Sequence, residues 1–277
     1  MAKRGSAVAT VLRWLFLMFI TLISAGPLLW IVMSSFKTNQ EILQSAFLLP
    51  SRIGLDGYAA ALSMSPIFQY YGNSLLIAGL STALGVLVVA MAAYVIVRVP
   101  FRGSKALLML FSSSLLVPVA ALLMPIYIIF TRIGLYDTKL GLMIVYAALG
   151  LPTSLFILRA HFQGVPRELE EAAFVDGGGF LRIFLSIVLP VVKPGLAAAA
   201  VMQFLTSWNE FMFALILTKS NQNRTIPLAL SYFTSQFTFN YTAMFAALVM
   251  VVLPSILIYV LLQEQITDSL VAGSVKG

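Results

Sequence analysis

Residues 165–194 read VPRELEEAAFVDGGGFLRIFLSIVLPVVKP. Pro166 suits the first position of a helix, and Glu168, Glu170 and Glu171 follow in the first turn, where the helix dipole favours anions. Gly177-Gly178-Gly179 then stops that helix, because glycine accepts the left-handed conformation of a C-terminal cap. A second helix is expected from Phe180. Its Phe180, Ile183, Phe184 and Ile187 fall at i, i+3, i+4 and i+7 and make an apolar stripe, with Arg182 and Ser186 near the opposite side. Pro190 and Pro194 bend or end it. Two short helices at a glycine elbow, with a carboxylate beside small Ala172 and Ala173, make a compact knob. On physics alone two readings stand: a docking element for another protein, or an amphipathic helix lying on a membrane surface.

Outward from this knob the chain is apolar in both directions. Of 277 residues 60% are hydrophobic and 10% charged, with a mean hydropathy of +0.98. Soluble domains carry about 25% charged residues, so the bilayer is the solvent for most of this chain. Soluble enzymes, nucleic-acid-binding modules and disordered scaffolds are thereby disfavoured. The net charge of +7 does not point to nucleic acid, since the seventeen basic residues are spread thinly between apolar runs. Without cysteine there are no disulfides, thiol nucleophiles or iron–sulfur clusters. An all-α membrane protein follows, with about six spans at Val11–Met33, Asn73–Val97, Ala106–Phe130, Gly141–Leu158, Pro194–Leu217 and Thr242–Leu262. None alternates as a barrel strand does, and helices are then the remaining way to satisfy backbone groups in lipid. The first stretch follows Lys3 and Arg4 as a signal peptide would. Its 23 residues exceed a usual apolar core and Trp30 suits an interfacial anchor, so it is expected to be a retained span.

With both termini inside, eleven basic residues fall on the inner side and six on the outer, the bias of the positive-inside rule. Two connections are long: an outer one from Ser34 to Gly72, and the inner one carrying the knob, residues 159–193. Long polar connections in compact membrane domains are usually functional. The expected division is residues 1–68 for the N-terminus, first span and outer segment, 69–263 for the core, and 264–277 for a cytoplasmic tail.

Inside the bilayer one polar pattern stands out. Gln203, Thr206, Ser207 and Glu210 repeat at i, i+3, i+4 and i+7 on one helical face, with Asn209 a flank away. A carboxylate in a span costs roughly 2.5–3.5 kcal/mol on insertion scales, so Glu210 is expected to face a cavity or a partner. The stripe can line a solute route whose hydroxyls and amides suit a polyol, or form a buried seam between helices; for Glu210, path, gate and structural pair all remain. Tyr127, after Pro125, suits core packing more than a cavity wall. His161 beside Arg159 suits the headgroup region rather than a metal. No metal site is expected.

The knob also carries a known pattern. Glu171-Ala172-Ala173, three residues, Gly177, nine residues, then Ile187, Leu189 and Pro190 resemble the EAA loop of ATP-binding-cassette importer permeases at the same spacings. Ser35-Phe36-Lys37-Thr38-Asn39, Asn73-Ser74-Leu75, Gly134 to Thr138, Trp208-Asn209-Glu210-Phe211 and the closing Val275-Lys276-Gly277 are similar to the carbohydrate-importer branch, typified by the maltose permease G subunit. Gly178 departs from the Ala frequent there, which should loosen the elbow without abolishing it. The resemblance implies the type I ABC importer permease fold in a bacterial or archaeal cytoplasmic membrane. It also implies a second related permease, a cytosolic ABC ATPase dimer holding the ATP and Mg, an extracytoplasmic solute-binding protein, and a carbohydrate substrate. Glu171, Ala172, Ala173, Asp176 and Gly177 would belong to the coupling region, with Phe180, Ile183 and Phe184 as contacts. The outer loop from Lys219 to Asn240 would reach the binding protein. No G-x-x-x-x-G-K-[ST] loop occurs, so hydrolysis is expected on a partner and no cofactor on this chain. The competing reading is a proton-coupled carrier using Glu210.

Overall fold

The computed structural model describes residues 7–45, 47–233 and 240–274. Lys3, Arg4 and the closing Val275-Lys276-Gly277 lie outside the described residues, as does part of the outer loop. The described chain is helical with no strand among those residues, and it forms two compact units: Met1–Pro66 with Ala229–Leu253, and Ile67–Leu228 with Pro254–Gly277.

The first unit begins with α1 (Ala7–Ser34), whose apolar side chains are exposed almost all round, as a lipid-facing helix requires. The long outer connection is not irregular. It folds into α2 (Asn39–Gln44) and α3 (Asp56–Met64). Thr38 starts α2 with a capping box: its hydroxyl accepts the Glu41 amide at 3.3 Å, and the Glu41 carboxylate accepts the Thr38 amide at 2.8 Å. Ser51 closes on the same carboxylate with its backbone amide at 3.0 Å. Hydrogen bonds from Ser51 and Thr38 hold Glu41 down to about 2.

The second unit is built on α4 (Ile67–Arg98), 32 residues and so about 48 Å long at ~1.5 Å per residue. That exceeds the roughly 30 Å hydrocarbon core, so α4 is more than long enough to cross it. The expected third span is not one helix. It consists of α5 (Ser104–Ser114) and α6 (Val119–Arg132), bent by 103° where Pro118 lacks an amide hydrogen and restricts the residue before it. Then follow α7 (Lys139–Gly164), α8 (Arg167–Val175) and α9 (Phe180–Ile183). A π-helical turn over Phe184–Val188 leads into α10 (Leu189–Val191) and, across an 80° bend, α11 (Lys193–Trp208). The fifth span also differs from expectation, because α11 ends at Trp208 and α12 (Met212–Leu217) begins after a break. A 3₁₀ segment at Ile226–Phe233 and α13 (Tyr241–Ser274) complete the chain.

Among the described residues four helices are long and apolar enough to cross a membrane, and up to six spans result if each bent pair counts as one. In the second unit α4, α7 and α11 pack together at small residues. A side chain at Gly85 would press on the Ala147 carbonyl, and one at Gly150 would overlap the Gln203 carboxamide. The core continues into the knob: Ala93, Tyr94, Leu158, Phe162, Ile183, Phe184 and Val188 are buried in one cluster.

Candidate functional site

The knob is α8, the elbow and α9. Glycine 177 has φ +81°, the left-handed region, and closes the cap: its amide donates to Phe174 O at 3.0 Å and that of Gly178 to Ala173 O at 2.9 Å. A Cβ on Gly178 would lie 2.7 Å from the Ala173 carbonyl oxygen. Glycine at 178 therefore permits a tight elbow here, where a loosened one was expected.

What holds the knob to the membrane helices is Glu170, one residue before the expected Glu171. Arg98, at the end of α4, donates Nε to Glu170 Oε1 at 2.6 Å and Nη2 to Val165 O at 2.7 Å. Tyr94 donates its hydroxyl to Glu170 Oε2 at 2.9 Å. The pair's side chains are only 10% and 15% exposed, so both charges are desolvated, and the added donors are what such burial needs. Tyr94 also stacks on Phe184 at 4.9 Å and lies 5.1 Å from Phe180. Neither Tyr94 nor Arg98 carries a sequence signal, since their role depends on a contact 72 or more residues away.

The apolar stripe of α9 faces inward. Ile183 and Phe184 are buried, Ile187 and Leu189 half-buried, and Phe180 half-exposed. The surface that remains open is carried by Glu171, Ala172, Asp176, Leu181, Phe174 and Val175, the last two 71% and 84% exposed. Ala173 is half-buried and Pro190 exposed. Beside this surface lies a groove of about 480 Å³ between Arg98, Pro100, Glu171, Phe174, Val175 and Phe180.

The polar stripe of the fifth span is divided by the break after Trp208. Gln203 is buried and donates Nε2 to Tyr146 O at 2.7 Å, while Ser207 Oγ accepts from Ser81 Oγ at 3.2 Å. These two sit in the seam joining α4, α7 and α11. Thr206 and Asn209 are exposed and bond back to Met202 O and Leu205 O. The two oxygens of Glu210 accept the amides of Phe213 at 2.8 Å and Ala214 at 3.0 Å, capping α12. Such local bonds compete with the helix ladder and account for the break. Tyr127 packs edge-on against Tyr136 at 5.6 Å. His161 is half-buried, its ring against Gly195 and Nδ1 2.9 Å from Ile157 O.

At the opposite end of α4 a third arrangement emerges. Asn73 donates Nδ2 to Gln222 O at 2.9 Å and Arg224 O at 2.8 Å, Ser74 Oγ accepts the Ile226 amide at 2.8 Å, and Tyr70 donates to Asn221 Oδ1 at 3.1 Å. Asp137, at φ +54°, accepts the amides of Lys219 at 2.9 Å and Ser220 at 3.0 Å, and Asn223 bonds to both its carbonyl and its carboxylate. Burial pulls the Asp137 carboxyl up, but the donors of Lys219, Ser220 and Asn223 outweigh it and hold the group below its ordinary value. Residues 219–226, in the loop expected on the outer side, are thus clamped by two short motifs distant in sequence.

Residues 85–270 match the family described as binding-protein-dependent transport system inner membrane component. The diacetylchitobiose uptake system permease protein NgcG of Streptomyces coelicolor is 34% identical over 252 residues, 90% of this chain and 83% of that protein. The sulfoquinovosyl glycerol transport system permease protein SmoH of Agrobacterium fabrum is 31% identical over 252 residues, 91% and 88% of the two chains. Among solved structures, a chain of a bacterial ABC transporter that imports the acidic polysaccharide alginate superposes with a TM-score of 0.84 at 20% identity, over 95% of this chain and 98% of that one. The broken spans and the elbow loop are therefore those of the type I ABC importer permease fold. With a family match over residues 85–270 and a relative 34% identical over 90% of its length, the chain belongs to the binding-protein-dependent transport inner membrane components, the permease subunits of ABC importers.

Proposed function

We propose that this chain moves a carbohydrate or a related polyhydroxylated solute inward across the cytoplasmic membrane, paired with a second permease and driven by a separate ATPase dimer that holds ATP and Mg²⁺. The solute class rests on relatives whose names specify diacetylchitobiose, sulfoquinovosyl glycerol and arabinooligosaccharides. Both termini and the knob lie on the cytoplasmic side in this reading, and residues 69–263 make up the permease core. An extracytoplasmic binding protein delivers the solute to the side of the clamped outer loop.

The observation that carries the reading is the knob itself. Its charged and apolar open face, with Glu171, Asp176, Phe174, Val175 and Leu181, is built like a plug, while its inner face is locked into the core of α4 and α7. A surface amphipathic helix would turn its whole apolar stripe to lipid, whereas here Ile183 and Phe184 of that stripe are buried in the core. Glu171, Ala172, Ala173, Asp176 and Gly177 present this face, Phe180 borders it, and Ile183, Phe184, Ile187, Leu189 and Pro190 mount it. For the translocation path, Thr206 and Asn209 are the members of the polar stripe with open side chains; Gln203, Ser207, Glu210 and Tyr127 support the wall from behind.

The test is transport in inverted-topology-controlled vesicles carrying the chain with its partner subunits. Uptake that requires ATP and the ATPase is the expected result. Uptake by this chain alone under a proton gradient would overturn it and restore the carrier reading. Phe174→Asp should release the ATPase from the purified assembly while leaving the permease folded.

A further inference from the structure

Where α4 ends and α5 begins, a crevice of about 660 Å³ opens among Val99, Phe101, Arg102, Lys105 and Arg167, with Arg98 at its back. Arg98 is committed to Glu170 and Val165. Arg102, Lys105 and Arg167 are exposed, and none of the three is ion-paired among the described residues. The first turn of α5 contributes to the same crevice. It has no acidic residue and no side-chain cap, so the positive end of its dipole is uncompensated. Three unpaired cations and a bare helix N-terminus form a concave positive site much larger than a water or a chloride ion needs.

The surroundings of the crevice are apolar. Val99 and Phe101 are 38% and 40% exposed at its rim. Leading away from it, α5 packs Leu107, Leu108 and Phe111 against the core and leaves Met109 and Leu110 largely exposed. A single ligand that satisfies both halves carries a phosphate at one end and acyl chains at the other. We infer that this crevice binds the headgroup of an anionic phospholipid, with Arg102, Lys105 and Arg167 around the phosphate and the acyl chains along the exposed side of α5. Basic pockets at the cytoplasmic ends of membrane helices are suited to such headgroups. Placement in the inner leaflet rests on the orientation proposed above; binding itself does not.

The lipid would sit beside the Arg98–Glu170 pair, so it would also wedge the loop between α4 and α5 against the knob. It therefore fits a structural lipid rather than one exchanging freely with the bulk.

The test is native mass spectrometry of the full chain, purified in neutral detergent and equilibrated with equal phosphatidylglycerol and phosphatidylcholine. The wild type should retain phosphatidylglycerol preferentially. A basic side chain at an anionic surface contributes a factor of about five, so Arg102→Gln, Lys105→Gln and Arg167→Gln should each cut the preference about fivefold, and the triple variant should abolish it. Arg132→Gln, on α6, should leave it unchanged and reports on any general charge effect. Equal retention of the two lipids by the wild type, or an undiminished preference in a triple variant that elutes as the wild type does, overturns the proposal. Displacement of the lipid by millimolar inorganic phosphate would assign the crevice to free phosphate and overturn the lipid assignment.

Discussion

A carboxylate's partners decide what it does, and Glu210 and Asp137 show two outcomes. Glu210 reads in the sequence as an intramembrane charge, costly and therefore functional. Its oxygens instead take two amides at the start of α12, which removes the cost by pairing the charge with a helix N-terminus. Glu210→Gln leaves one oxygen to accept and should weaken this cap by about 1 kcal/mol, seen as a lower melting temperature of the solubilised protein, with solute affinity unchanged. A loss of affinity without loss of stability would return Glu210 to the path. Asp137 is held below its ordinary value near 3.8 by the loop's donors. A depressed carboxyl contributes stability in full above its unfolded-state pKa, and that contribution disappears as the pH falls through the depressed value. The protection of the Lys219 and Ser220 amides against hydrogen exchange, taken relative to their intrinsic rates at each pH, should therefore hold from neutral pH to about 4 and fall only below the ordinary aspartate range. In Asp137→Asn the exchange is faster throughout and the acid step is gone. An acid step that persists in the variant would assign the clamp to another group.

Among the elements, the knob is the one most fully legible from sequence. Pro166, the glycine run and the i, i+3, i+4 spacing fix α8, the elbow and the start of α9 to within a residue, because helix caps are local and their chemistry lies within a turn, while the π-helical turn from Phe184 is not read. The break in the third span is not legible from hydropathy, which stays high from Leu115 through Pro118, and the one in the fifth falls at Asn209 and Glu210, which read as part of a polar stripe on one continuous helix. Still less legible is the fastening of the knob. Glu170, Glu171 and Glu168 are indistinguishable along the chain; the one that matters is chosen by Arg98 and Tyr94, brought to it by the packing of α4 on α7. That fastening is testable. Removing one partner of a buried, hydrogen-bonded pair costs 3–5 kcal/mol, much of it from the charge left behind. Glu170→Gln keeps an acceptor for Tyr94 and should cost less than Arg98→Met, which strands the carboxylate. Both should leave ATPase binding through the open face intact while lowering solute moved per ATP hydrolysed. An unchanged ratio in either variant would reduce the pair to scaffolding.

At the scale of the molecule's second unit, α4 carries an arrangement at each end and the polar seam in its middle. Tyr70, Asn73 and Ser74 hold the outer loop, Ser81 and Gly85 meet Ser207 and Gln203, and Tyr94 and Arg98 hold the knob. One helix of about 48 Å, with 14 buried residues along it, resists bending, so a displacement at the knob reaches the outer loop with little loss. The sequence contains these residues within Ile67–Arg98 but offers no sign that they belong together, since each one's partner lies in a different later segment. A double-mutant cycle separates the two consequences. Asn73 and Arg98, the α4 partner of Glu170, are 25 positions apart (98 − 73), roughly 38 Å along the helix at ~1.5 Å each, and Asn73 and Glu170 share no hydrogen-bond partner among the described residues. The effects of Asn73→Ala and Glu170→Gln on stability should then add to within about 0.3–0.5 kcal/mol. Their effects on solute moved per ATP should not add: if α4 moves as one body, loosening either end already wastes the stroke, and the second loosening costs little more. Additive losses in transport, measured in the same vesicles that show additive melting temperatures, would mean that the two ends act separately and that α4 is a support rather than a lever.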